Sequence, residues 1–191
     1  MQYGALLIDP PWPFRVWSED KGSGRSPTAH YPTMPIPALK ALAVPDVMAA
    51  NCAVFMWVTW PTLQDALELG KAWGLEYKTC AFCWAKTNKR TVGSFAVLED
   101  NASWHMGMGY WTRANTEPCL LFTKGKPKRK ARNVRQLMVS AIGRHSQKPD
   151  AIYGRIESLV DGPYCELFAR QKYSPTWDVW GNEVDPDIKI G

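Results

Sequence analysis

Asp9-Pro10-Pro11-Trp12 follows the apolar run Ala5-Leu6-Leu7-Ile8 without a break. An apolar run of that length, closed by prolines, reads as a strand buried in a parallel sheet. Pro10 and Pro11 have a fixed φ and no N–H, so the strand ends in a stiff turn. Such a turn holds the Asp9 carboxylate, the Pro10 carbonyl and the Trp12 ring in one place. Two acceptors beside an aromatic plate form a receptor for a flat ring bearing an NH2 group. Methyl transfer to an exocyclic amine of a nucleobase requires such a receptor. Asp-Pro-Pro alone would be no more than a turn; features far along the chain agree with it.

The elements that must position these residues alternate between strand and helix. The first strand spans residues 4–8. Residues 13–34, rich in Pro, Gly, Ser and charge, read as a long mobile loop of the kind that serves as a lid or binding loop. Thr33 to Asn51 reads as a helix that Pro45 should kink or break. Cys52 to Trp60 is the second strand. Thr62 to Trp73 is a helix, with Thr62 and Asp65 as a capping box, Leu63, Ala66, Leu67 and Gly70 as its packed face, and Gly74 at C′. Glu76 to Ala85 is the third strand, and residues 86–113 a second mobile loop. Pro118 to Thr123 is a strand, and Pro149 opens a helix to about Val160, with Ile152, Ile156 and Leu159 inward. Tyr164 to Phe168 and Thr176 to Trp180 are the last strands. This alternation predicts one α/β domain over residues 1–191, with a mainly parallel sheet and helices on both faces. Ligands of such sheets bind past the carboxyl ends of the strands, where Asp9 and Arg170 fall.

The 191 residues suffice for a full α/β core, and 46% hydrophobic with 21% charged content is ordinary for a globular protein. No apolar run approaches a membrane span, and no leader pattern opens the chain, so no membrane partner and a cytoplasmic location are expected. The five cysteines lie scattered in apolar segments and read as reduced, buried thiols. Cys80-x-x-Cys83 lacks a second pair to complete a zinc site, so no metal is expected. Nine of the 23 Lys and Arg residues lie between Pro118 and Pro149, a stretch without a single Asp or Glu. A phosphate backbone is the natural partner of such a segment, with Lys128, Arg129 and Lys130 at its centre.

The order of motifs carries a resemblance. After Asp9-Pro10-Pro11-Trp12 come Phe55-Met56-Trp57-Val58-Thr59, Trp84-Ala85-Lys86-Thr87-Asn88 and Lys148-Pro149-Asp150. Ile152-Tyr153-Gly154, Glu166-Leu167-Phe168-Ala169-Arg170 and Gly181-Asn182-Glu183 then follow. From about Gly4 to Glu183 the chain resembles the adenine-N6 methyltransferases related to the catalytic subunit of the eukaryotic mRNA N6-methyladenosine writer. Its compact length is similar to that of stand-alone bacterial and phage members.

The resemblance implies a Rossmann-like, S-adenosylmethionine-dependent fold in permuted order, with the catalytic strand first and the cofactor strand near the C-terminus. It implies that Asp9 and the Pro10 carbonyl accept the target amine, that Pro11 stiffens their turn, and that Trp12 stacks on the adenine. Tyr31, at the end of the first active-site loop, would touch substrate or cofactor. Lys148 would bind the cofactor's methionyl carboxylate. Asp9, Glu166, Phe168, Arg170, Asn182 and Glu183 would complete the cofactor site. Glu166 is also unusual in its own right: a carboxylate in an apolar strand needs a partner, and ribose hydroxyls would serve. Trp57, Arg113, Asn115 and Glu117 fall in family motifs near the pocket. Two departures stand out. The segment upstream of the catalytic strand in larger relatives, which helps hold the cofactor's adenine, is expected to be missing. The stretch after Arg170 is Gln171-Lys172-Tyr173-Ser174, where the family often has His-Asn.

The leading expectation is adenine-N6 methylation of DNA. RNA as substrate, a non-catalytic nucleic-acid-binding partner subunit and cytosine-N4 methylation are the alternatives; Asp rather than Ser before the prolines disfavours the last. A monomer or homodimer is expected, and a heterodimer is compatible. Without a separate target-recognition domain, weak sequence specificity or help from dimerisation follows.

Overall fold

The computed structural model describes residues 1–13, 33–88, 104–107, 109, 111–143 and 147–191. The expected loop over residues 13–34 falls mostly outside these, and Tyr31 with it. Seven strands form one sheet: β1 (Tyr3–Ile8), β2 (Met48–Trp57), β3 (Glu76–Thr87), β4 (Thr116–Lys124), β5 (Leu137–Ala141), β6 (Tyr164–Leu167) and β7 (Trp177–Trp180). Their order is β5-β3-β4-β2-β1-β6-β7. β4 runs antiparallel to β2 and β3; every other pairing is parallel. The architecture is a mostly parallel α/β sheet of Rossmann-like kind.

β1 lies in the interior of the sheet, and both its faces are covered. Leu6 and Ile8 pack with Leu39, Val44, Ala66 and Leu69 from α1 (Ile36–Ala41), α2 (Val44–Val47) and α3 (Leu63–Ala72). Ala5 and Leu7 face the other way, onto Ile152, Tyr153 and Ile156 of α4 (Ala151–Leu159). An interior parallel strand needs an unbroken apolar run for this reason. Helices therefore cover both faces. Among the described residues no helix is long and apolar enough to cross a membrane.

Several boundaries differ from expectation. The helix predicted over Thr33 to Asn51 is two short ones, and Pro45 stands at the start of α2, where no N–H is needed. Met48 then turns extended, so β2 begins four residues before Cys52. The Thr62 hydroxyl turns away from Asp65: it accepts the Thr59 N–H at 3.2 Å and donates to the Thr59 carbonyl at 3.0 Å, capping a 3-10 turn over Trp60–Thr62. Leu69, not Leu67, joins Ala66 on the buried face of α3. Gly74 ends the helix with φ 71°, as the C′ position requires. α4 begins at Ala151, two residues after Pro149. β5 was not foreseen; it is an edge strand inside the basic run, and only Met138 of it is fully buried.

Candidate active site

Asp9 emerges from the carboxyl end of β1, between β2 and β6. Its N–H reaches the Leu167 carbonyl at 3.4 Å, so the β1–β6 pairing carries into the turn. The Trp12 N–H donates to the Pro10 carbonyl at 2.8 Å, and the Met34 N–H to the Pro11 carbonyl at 2.9 Å. The Pro10 carbonyl is thereby aimed, with a second lone pair left to accept.

Trp12 is only 4% exposed, packed in the core, with its indole N–H on the Trp57 carbonyl at 3.0 Å. Burial of an indole requires an acceptor for its N–H, and the end of β2 supplies one. This bond makes Trp12 an anchor of the turn.

The Asp9 side chain sits in a row of alternating charges. Lys148 Nζ lies 2.8 Å from Asp9 Oδ2 and 3.0 Å from Glu117 Oε1, and Lys86 Nζ lies 2.6 Å from Glu117 Oε2. Glu117 is only 9% exposed at its side chain. The row forms because β4 is reversed: its first residues meet the last residues of β2 and β3, at the end of the sheet where β1 delivers Asp9. Burial drives the Asp9 carboxyl above the ordinary carboxylate range, against the pull of Lys148. Burial would also raise Glu117, but Lys148 and Lys86 outweigh it and hold that carboxyl low. Burial alone would lower Lys148; Asp9 and Glu117 outweigh it and hold the ammonium firmly charged. The Lys148 ammonium also lies 5.8 Å from the Trp57 ring centroid. Trp57 itself is fully buried core.

A second group stands beside the first. Glu166 pairs in register with Leu7 of β1 and accepts the Tyr153 hydroxyl at 2.8 Å. Burial pushes its carboxyl up to about 7, and the Tyr153 hydroxyl opposes that rise. The Tyr153 ring stacks on Tyr173 with centroids 3.9 Å apart and planes 8° from parallel. Phe168, at the end of β6, has φ 62°. A bulky residue in the left-handed region is strained by about 1–3 kcal/mol, and such strain gathers at ligand sites. Its ring meets Trp180 edge-on at 5.2 Å. Arg170 Nε and Glu183 Oε1 pair at 2.8 Å, so these two expected ligand contacts hold each other. Gly181 carries the chain past Ala169, whose carbonyl would be 2.2 Å from a Cβ at that position, and sets Asn182 in the exposed turn that follows. Lys172 binds Asp187, which also caps the Val179 N–H.

The basic segment lies elsewhere. β4 runs against β2, so Lys124 stands opposite Cys52, four residues before Met56, the partner of Ile8. At about 3.3 Å per residue this exit is roughly 13 Å behind the end of β1. Lys130 then bonds the Glu157 carbonyl at 3.1 Å, in the last turn of α4, and Asp161 at 3.0 Å, just past it. Lys128, Arg129 and Lys130, read from the sequence as phosphate-binding residues, therefore sit at the opposite end of the sheet from Asp9. Arg113 is exposed on the pocket side, and the Asn115 carbonyl accepts the Lys86 N–H at 2.8 Å.

Lys86 and Tyr153 had no role assigned from the sequence, and Glu117 only a motif position. A signal existed for the first and last: like Glu166, each is a charge within an apolar strand. Tyr153 had the helical period that puts it inward with Ile156.

The MT-A70 family model matches residues 3–183. The chain is 36% identical over 206 residues to the type II methyltransferase M.MunI of Mycoplasma, covering 99% of this chain and 80% of that protein. It is 27% identical over 187 residues to the human N(6)-adenosine-methyltransferase catalytic subunit METTL3, and 28% identical to the Drosophila melanogaster MT-A70-like protein. These two matches cover 96% of this chain but only 28% and 27% of the relatives. Both the length of the family match and the identity to a relative of similar size lead to one conclusion: the chain belongs to the MT-A70 family of methyltransferases.

Proposed function

We propose that the chain transfers a methyl group from S-adenosylmethionine to the N6 amine of adenine in DNA. One observation carries the reading: a carboxylate fixed at the end of an interior strand by a buried lysine, next to a proline carbonyl with a free lone pair. The adenine amine is a poor nucleophile, because its lone pair is delocalised into the ring. The second Asp9 oxygen and the Pro10 carbonyl accept its two N–H groups and draw the nitrogen toward tetrahedral geometry. They also stabilise the positive charge that develops there. Burial of Asp9, by raising its basicity, makes it the better acceptor of the departing proton. Lys148 and Trp12 hold these acceptors still, and the remaining requirement is an in-line approach. A base in duplex must first flip out.

The residues beside Asp9 fit the cofactor by their chemistry. Lys148 offers an ammonium to its carboxylate, and Glu166 an acceptor to its ribose hydroxyls. Phe168, Asn182, Arg170 and Glu183 line the neighbouring strand end. Bound there, the cofactor supplies an electrophilic methyl group. We read the element order as permuted, with the catalytic strand β1 first and the cofactor strand β6 late, and we place the activity in the cytoplasm. Similarity to a type II methyltransferase along nearly the whole chain supports DNA over RNA; the N(6)-adenosine-methyltransferases match over far less of their length. Because Lys128, Arg129 and Lys130 lie at the far end, we do not assign them the phosphates next to the target base.

The test is methyl transfer from labelled S-adenosylmethionine to duplex DNA, single-stranded DNA and RNA, with nucleosides identified by mass spectrometry. N6-methyldeoxyadenosine that disappears in Asp9→Ala is the expected result. Methyladenosine in RNA only would replace the DNA reading, and no product with cofactor still bound would favour a partner subunit.

A further inference from the structure

Residues His105 and Gly107 lie against Lys86 and Ala114 beside the site. The His105 N–H donates to the Lys86 carbonyl at 2.9 Å, the Lys86 N–H to the Asn115 carbonyl at 2.8 Å, and the Gly107 N–H to the Ala114 carbonyl at 2.9 Å. The two limbs are so close that a Cβ at Gly107 would lie 2.5 Å from the Ala114 carbonyl oxygen. Between these limbs in sequence, Trp111 is 99% exposed, and Arg113 is exposed two residues on. Trp60, at the end of β2, is half-exposed and oriented by its indole N–H on Thr116 Oγ1 at 3.0 Å. Thr116 adjoins Glu117, which holds Lys148 beside Asp9. From Ala102 to Thr116 the sequence has no Asp or Glu.

Trp111 stabilises no core, yet it stands in a segment that carries Arg113 and no carboxylate. Aromatic faces accept any unstacked base, and a guanidinium accepts the phosphate between bases. A protein partner fits less well, because a lip of so few side chains falls far short of the roughly 800 Å² per partner that a stable interface buries. We propose that Trp111, Trp60 and Arg113 form a stacking lip for unpaired bases flanking the target adenine. The nucleic acid therefore enters the site single-stranded or locally opened. This rests on the reading of the Asp9 site as a nucleobase pocket.

The test is the affinity of a short fluorescein-labelled single-stranded DNA with one adenine, by anisotropy. A second DNA has abasic nucleotides on both sides of that adenine. Wild type should prefer the intact DNA by roughly 5- to 100-fold. Trp111→Ala should lose that preference, Trp111→Phe should retain most of it, and Arg113→Gln should weaken both DNAs alike. An exposed residue can be changed without unfolding, and an unchanged melting temperature verifies this.

Wild-type affinity in Trp111→Ala, or an equal loss on both DNAs, would overturn the lip. So would a loss of dimers in Trp111→Ala with the base preference intact, which would assign the face to a second copy. Asp9→Ala separates the two readings, since it should abolish transfer and keep the base preference. A Trp111-dependent preference without any transfer by wild type would sink the methyltransferase reading alone; transfer without that preference would sink the lip alone.

Discussion

Lys148 and Lys130 belong to the same basic run, yet they stand at opposite ends of the sheet and in opposite circumstances. Lys148 is buried between two carboxylates, one of them Asp9. Lys130 is largely exposed and ties the loop after β4 to the end of α4 through the Glu157 carbonyl and Asp161. The first is held by its two carboxylates and cannot be removed without stranding them. The second is screened by water and holds two loops together. A lysine is thus assigned its work by the end of the sheet at which the chain leaves it there, not by the company it keeps in sequence.

Substitution at the two lysines should separate the ends most widely. Lys148→Met leaves Asp9 and Glu117 buried without their shared cation; a broken buried pair costs about 3–5 kcal/mol. Denaturant unfolding should register a loss of that order, and methyl transfer should vanish. Glu117→Gln should be milder on stability. It should still lower kcat of methyl transfer by about tenfold or more, because Lys148 loses one of its two anchors and Asp9 its fixed geometry. An unchanged kcat would break the claim that the four charges act as one unit.

Glu166 sharpens the contrast through pH. Its folded carboxyl holds a proton more tightly than the unfolded one. Its contribution to stability is therefore greatest below the ordinary carboxylate range and falls as pH rises toward about 7. Ribose hydroxyls are better received by the ionised form, so cofactor affinity should rise through that same window. Calorimetric titration with S-adenosylmethionine at pH 6 and pH 8 should show this rise in wild type and none in Glu166→Gln. The smallest effect is expected at the far end: Lys130→Gln should leave the denaturant midpoint nearly unchanged, as exposed pairs contribute little, and leave kcat untouched.

Much of the site was legible because its signals are local. Prolines after an apolar run placed Asp9 at a strand end, and a carboxylate inside β6 marked Glu166. What was not legible depended on direction. Nothing in Thr116–Lys124 announces that this strand runs against its neighbours. Had it run with them, Lys128, Arg129 and Lys130 would have emerged beside Asp9. The same reversal brought Glu117 to Lys148, across a separation of 31 residues. The bond from the Trp12 indole to the Trp57 carbonyl was hidden for a different reason: it depends on packing that no local pattern announces.

The formal charges of Lys86, Glu117, Lys148 and Asp9 sum to zero. A balanced pocket neither draws in nor repels a polyanion, so whatever grips the polymer must be separate from what activates the amine. Ionic strength should reach the two unequally. Raising the salt should increase KM steeply, as counterions compete for the phosphates. It should leave kcat nearly constant, because buried pairs are little screened.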